Sequence, residues 1–274
     1  MNRIEELNEA CKASISEEEQ KNLEKIKDFY YYSAEYVDEI IKRMKERKID
    51  SKEFVKNPLN IRSLVSSARL CFNYLYDEAD DFENEIENDL KISIAPTKMD
   101  AIKDDIYYEC KCREVIYGEK ERLRISYRNN SELFKELVDP NIVETKRHHA
   151  KDAKNEYDYC VFRASDLGIL NIGDKYYWEY HFNIKQLICH LIAIAHSGDK
   201  NVVKTLQYII FKPNEEEIIK YPHLKKVYDE LDEEIIAIEN SQAIKKFNKN
   251  HNIELDVKYE YISNVRDYII YNKQ

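Results

Sequence analysis

IKQLICHLIAIAHSGDKNVVKTLQYIIF, residues 184–211, holds the two runs whose reading decides the fold. Residues 184–195 are almost wholly apolar, and Gly198 stops them, which predicts a buried helix. Residues 205–211 (TLQYIIF) form a continuous apolar run that Pro213 ends. Such a run suits a central strand covered on both faces. Together they point to an α/β core.

Upstream, residues 156–164 (EYDYCVFRA) and 175–182 (KYYWEYHF) read as strands. The segment between them, LGILNIG, contains two of the four glycines, so the pair is expected to form a hairpin. Residues 106–116 (IYYECKCREVI) are rich in β-formers, and residues 123–127 (LRISY) read as a partner strand. Residues 134–138 read as a short helix or turn, residues 215–246 as one or two charged helices, and residues 255–261 (LDVKYEY) as a last strand. Further upstream, residues 61–76 read as a helix whose small residues Ser66, Ser67 and Ala68 allow a neighbour to approach closely. The acidic run 77–89 (DEADDFENEIEND) reads as a solvated helix face, with a metal-binding cluster as the alternative. Near the start, Ser16 and Glu19 make a capping box. Leu23, Ile26, Phe29, Tyr30, Ala34, Val37, Ile40, Ile41 and Met44 then recur at helical spacing. The expected architecture is a mixed central sheet flanked by helices. A helical region covers residues 1–57 and the α/β domain covers residues 58–274.

The 274-residue chain is 43% hydrophobic, enough to pack a core, so wholesale disorder is excluded. Only 4 Gly and 5 Pro exclude collagen and Gly-rich linkers. Forty-three basic against 53 acidic residues leave a net charge of −10. A protein that depends on non-specific phosphate contacts would be basic. A nucleic-acid surface here must therefore be a local patch, and Lys146, Arg147, His148 and His149 are the candidate, either as a solvated basic loop or as a phosphate contact. Six cysteines scattered at 11, 71, 110, 112, 160 and 189 read as buried free thiols of a reducing compartment. Cys110 and Cys112 lack a second pair, which argues against a structural zinc site. The opening MNRIEELNEACK has no apolar signal core, and the apolar run 187–195 is shorter than the ~20 residues of a membrane span. A cytoplasmic protein without membrane attachment is expected.

The phosphate-binding, dinucleotide-binding, nucleophile-elbow and zinc-protease motifs are all absent. Asp158 and Glu179 each interrupt an otherwise apolar strand. A buried carboxylate costs several kcal/mol unless it is paired or metal-bound. Two on neighbouring strands could converge on a hard cation such as Mg²⁺ or Mn²⁺, which activates water against a phosphodiester. Lys185 and Gln186 open the following helix and could face the same point. The competing reading puts both acids on the polar face of an exposed strand. Glu109 is a third candidate, and with Lys111 it spells E-x-K, a tripeptide common by chance. His190, inside the apolar helix, reads as a core histidine.

An acid on one strand, E-x-K on the next and a helix with Gln near its start resemble the PD-(D/E)XK nuclease superfamily. Within it the chain is similar to a group of bacterial restriction-endonuclease-like proteins. The carrying segments are SSARLCFNYLY (66–76), IYYEC (106–110), EYDYCVF (156–162), YWEYHF (177–182) and KTLQYIIFKPN (204–214). The resemblance implies a restriction-endonuclease-like core and Mg²⁺- or Mn²⁺-dependent cleavage of DNA. It implies Glu109 as an early acid, Asp158 as the central metal ligand and Glu179 as the E of E-x-K. His181 then stands where the family has lysine, and Lys185 would supply the amine from the next helix. Lys146, Arg147, His148 and His149 would touch phosphate, and a homodimer follows by analogy. The His181 departure and the acidic charge favour a second reading, a nuclease-fold protein that binds nucleic acid or a partner without cutting. A third makes the stripe Leu23, Ile26, Tyr30 and Val37 a helical interaction surface.

Overall fold

The computed structural model describes residues 67–75, 79–90, 96–112, 114–117, 121–149, 156–170, 175–212 and 222–261, with isolated positions 42, 46, 215 and 218. The expected N-terminal helix and its apolar stripe lie outside the described residues, apart from helical positions 42 and 46.

The described chain is α/β, a mixed five-stranded sheet flanked by helices. Helix α1 (Ser67–Leu75) leads into three strands, β1 (Asp81–Ile86), β2 (Thr97–Lys103) and β3 (Ile106–Lys111). These form an antiparallel meander. Asp104, at φ 50°, makes the tight turn between β2 and β3, in a left-handed conformation that Asp tolerates. After a long insertion come α5 (Ile184–Ser197) and β6 (Lys204–Lys212). Strand β6 pairs parallel to β3, with Glu109 beside Tyr208. Then α6 (Pro222–Asn240) and α7 (Gln242–His251) lead to β7 (Ile253–Tyr261), parallel to β6. The sheet order is β1-β2-β3-β6-β7. Parallel neighbours need a crossover, and α5 and the α6–α7 pair supply the two.

The expectation for residues 205–211 holds. Strand β6 has a neighbour on each side, and Leu206 to Phe211 are all buried. Helix α5 is buried from Leu187 to Ala195. Asn183 caps it by accepting the Gln186 N–H, and Gly198 donates to the Ile194 carbonyl at its end. A Cβ at Gly198 would lie 2.7 Å from that carbonyl and 2.4 Å from Lys204 Cδ. Gly198→Ala is therefore expected to destabilise the fold by about 1–3 kcal/mol, read as a lowered urea midpoint.

Alternation along β3 sets the two helix layers. Glu109 meets Gln186 and His190 of α5, whereas Cys110 lies against Cys71 of α1. Successive strand residues face opposite sides, so α1 and α5 cover opposite faces of the sheet.

The insertion carries α2 (Glu114–Tyr117), α3 (Ile125–Asn130), α4 (Glu132–Leu137) and a separate two-stranded sheet. That sheet is β4 (Glu144–His148) paired antiparallel with β5 (Tyr157–Val161). Three expectations are corrected here and in the meander. Residues 175–182 are not a strand. They make only the bridge Arg163 to Tyr176, then a 3₁₀ turn (Tyr177–Glu179) closed by the Tyr176 N–H donating to Glu179 Oε2 at 2.7 Å. Residues 123–127 give one bridge, Arg124 to Tyr159, and then turn helical, and Ser131 ends α3 and caps α4. The acidic run forms strand β1 rather than a helix, with Phe82 and Ile86 buried. A four-residue apolar spacing fits either period, and pairing with β2 decides it. The described cysteines 71, 110, 112, 160 and 189 are all buried thiols, as expected. Among the described residues no helix is long and apolar enough to cross a membrane.

Candidate functional site

The β2–β3 ladder is recorded from Lys103↔Ile106 to Ala101↔Tyr108 and no further. One step on, Asp100 stands where it would oppose Glu109. Its Oδ2 accepts the Cys110 N–H at 2.7 Å, so a carboxylate takes the place of a backbone partner. The strands thus open at Asp100, and the charged residues of β3 lie beside the opening.

Glu109 is 2% exposed, and the side chains around it come from three elements. Lys111 Nζ lies 2.8 Å from Glu109 Oε1. Gln186, from the first turn of α5, donates its amide to the same oxygen at 2.6 Å. His190, one turn later, stands 3.6 Å from Glu109 Oε2, and the Tyr208 hydroxyl lies 3.3 Å from its Nδ1. Burial, reinforced by the Lys111 and Lys185 charges, pushes the His190 pKa down to about 3. The ring is therefore neutral, and its contact with Glu109 is not an ion pair.

Burial, reinforced by the Glu109 charge, holds the Asp100 carboxyl well above the usual carboxylate range. Burial pulls the Lys111 pKa down. The carboxylates of Glu109, Glu114 and Asp100 override it and hold the ammonium above its ordinary value. Glu114 is itself fixed, accepting from Ser67 Oγ at 2.6 Å and from the Cys112 N–H at 2.9 Å. The site is a buried cation among three acids. Gln186 Oε1 is buried beside it with no hydrogen-bond partner among the described residues.

No known protein family, curated protein or solved structure matches the chain.

The structure distributes the expected site residues over three places. Glu109 is at the centre of the cluster. His181 and Lys185 are at its margin. His181 lines a narrow cleft with Lys111, Glu114 and Asn183, where its ring nitrogens contact the Val115 carbonyl at 2.9 Å and Glu230 Oε2 at 3.2 Å. Lys185 donates to Glu121 Oε2 at 2.8 Å. Asp158 and Glu179 are not brought together with Glu109. Asp158 is on the β4–β5 hairpin, 3.0 Å from Arg147 Nη1, and Glu179 closes its own 3₁₀ turn. The basic patch is on exposed β4. There Arg147 is paired with Glu156 and Asp158, and His149 lies 3.8 Å from Glu156.

Asp100 escaped the sequence reading, and so did the strand that carries it. TKMDAIK is short and half polar. The available signal was its alternation, since Thr97, Met99 and Ala101 are buried and the residues between them are not. A turn and the β-rich IYYECK follow at once, which is a hairpin pattern.

Proposed function

We propose that the chain is a divalent-cation-dependent nuclease of the PD-(D/E)XK type, hydrolysing DNA phosphodiester bonds at Asp100, Glu109 and Lys111. One observation carries this. Asp100 on β2 accepts from the backbone of Glu109-Cys110-Lys111 on the adjacent β3 and feels the Glu109 charge, while Lys111 and Gln186 at the start of α5 both bond Glu109. That is the pattern of the resemblance, moved from the insertion to the main sheet. On this placement the lysine of E-x-K is present, so the departure at His181 no longer applies. The restriction-endonuclease-like core is part of the same proposal.

A hard cation fits the residues present. Asp100 and Glu109 are oxygen donors, and the Glu109 charge raises the cost of ionising Asp100. A cation between them relieves that repulsion. Gln186 Oε1 is a further buried oxygen without a partner. Asp100 and Glu109 would hold the ion, which when bound supplies Lewis acidity toward the phosphate and a more acidic water. Lys111 places fixed positive charge beside Glu109, where charge grows on a phosphoryl oxygen in the transition state. Gln186 orients Glu109 through its 2.6 Å hydrogen bond. Glu114, held by Ser67 and Cys112, keeps Lys111 charged.

The test is cleavage of plasmid DNA with Mg²⁺ or Mn²⁺ by wild type, Asp100→Asn and Asp158→Ala. Cation-dependent cutting lost in Asp100→Asn and kept in Asp158→Ala is expected. Cutting that survives in Asp100→Asn and fails in Asp158→Ala would return the site to the insertion.

A further inference from the structure

The donor atoms of Cys71, Asp100 and Cys110 all lie within 4.8 Å of one another. Among the described residues this is the one set of three His, Cys, Asp or Glu side chains that come so close. Cys71 comes from α1, Asp100 from β2 and Cys110 from β3, so three separate elements deliver them. Two thiols and a carboxylate are a donor set for a thiophilic divalent ion such as Zn²⁺, not for Mg²⁺. A tetrahedral centre with bonds of about 2.0–2.3 Å sets its ligand atoms roughly 3.5–4 Å apart. Small side-chain rotations therefore close the set, and water takes the fourth place. Both thiols are 1% exposed, and Asp100 stands where β2 and β3 part.

We infer that Cys71, Cys110 and Asp100 form a site for a thiophilic divalent cation, and that this site competes with the hard-cation site for Asp100. The two ions use Asp100 from opposite sides of the strand opening. Zn²⁺ on the thiol side withdraws the carboxylate from Glu109 and switches the nuclease off. The binding site stands on its own donor geometry. The inhibition rests on the proposed nuclease reading. Linkage is reciprocal, so Mg²⁺ or Mn²⁺ weakens the thiophilic ion by the factor it suffers.

Cadmium is the probe, because thiolate-to-metal charge transfer reports sulfur ligation directly. Wild-type protein is expected to gain this absorption and saturate at one equivalent. Cys71→Ala and Cys71→Val should lose it, the valine variant guarding against a loss caused by an unfilled cavity, with far-UV circular dichroism checking the fold of both. The other cysteines, left in place, are the background. Asp100→Asn should bind about tenfold or more weakly. Excess Mn²⁺ should weaken cadmium binding to wild type. Zn²⁺ should inhibit Mg²⁺-dependent cleavage by wild type, while Cys71→Ala cuts with Mg²⁺ and resists Zn²⁺. Absorption that never saturates at one equivalent, or that survives in folded Cys71 variants, overturns the site. One-equivalent binding without DNA cleavage in any cation sustains the site and removes the nuclease reading instead.

Discussion

Lys111→Met is expected to lose both activity and stability, and to recover part of the stability when a divalent cation is added. Lys111 is 9% exposed and lies 2.8 Å from Glu109 Oε1. Three acids, Glu109, Glu114 and Asp100, hold its proton in place against burial. Removing one partner of a buried ion pair strands the other, at about 3–5 kcal/mol. In the variant the acids face one another with no cation between them. Cleavage should fall on the order of 10²–10³-fold, the cost of one electrostatic stabiliser. Glu109→Gln should fall at least as far, but with the opposite effect of added ions, because it leaves Lys111 in place and removes a donor. The measurements are single-turnover cleavage and thermal melting with and without Mg²⁺. A Lys111→Met protein as stable as wild type, with no larger gain from Mg²⁺, would deny that Lys111 balances these acids.

That cluster was only partly legible in the sequence. Composition and period sufficed for α5 and β6, because a run buried on every side needs no knowledge of its neighbours. They failed for the acids. Asp158 and Glu179 drew attention because a carboxylate in an apolar run looks costly. Each has a nearby partner that removes the cost, Arg147 eleven residues away and the Tyr176 N–H three residues away. Glu109 has one partner close in the chain, Lys111 two residues on, but E-x-K is a tripeptide common by chance and does not mark a buried site. Its partner Gln186 is 77 residues further on, and its relation to Asp100 depends on where the β2–β3 ladder stops. Sequence spacing does not encode that register. Satisfaction of a charge is local and readable when the partner is a neighbour in the chain. It is unreadable when a parallel crossover supplies the partner.

The second large effect is on stability against pH, and it comes from Glu234 on α6. This side chain is fully buried. Its Oε2 accepts the Phe182 N–H at 2.9 Å, while Oε1 has no hydrogen-bond partner among the described residues. Burial pushes its pKa from the ordinary 4.5 up to about 7, although the Phe182 and His181 N–H groups and Lys175 pull the other way. A raised carboxyl pKa means that the folded chain holds the proton more tightly than the unfolded chain. The associated stability is present in full below the unfolded pKa and is lost as pH rises through the folded one. The window is therefore about 4.5 to 7. Across it a shift of this size is worth on the order of 3 kcal/mol. Glu234→Gln keeps an oxygen for the Phe182 N–H and cannot ionise. Its urea unfolding free energy should match wild type near pH 4.5 and exceed it by up to about 3 kcal/mol at pH 8. Glu234 anchors α6 to the Phe182 backbone, directly before the cap of the helix that carries Gln186. A Glu234→Gln protein whose stability tracks wild type at every pH would show that Glu234 is already charged in its buried place.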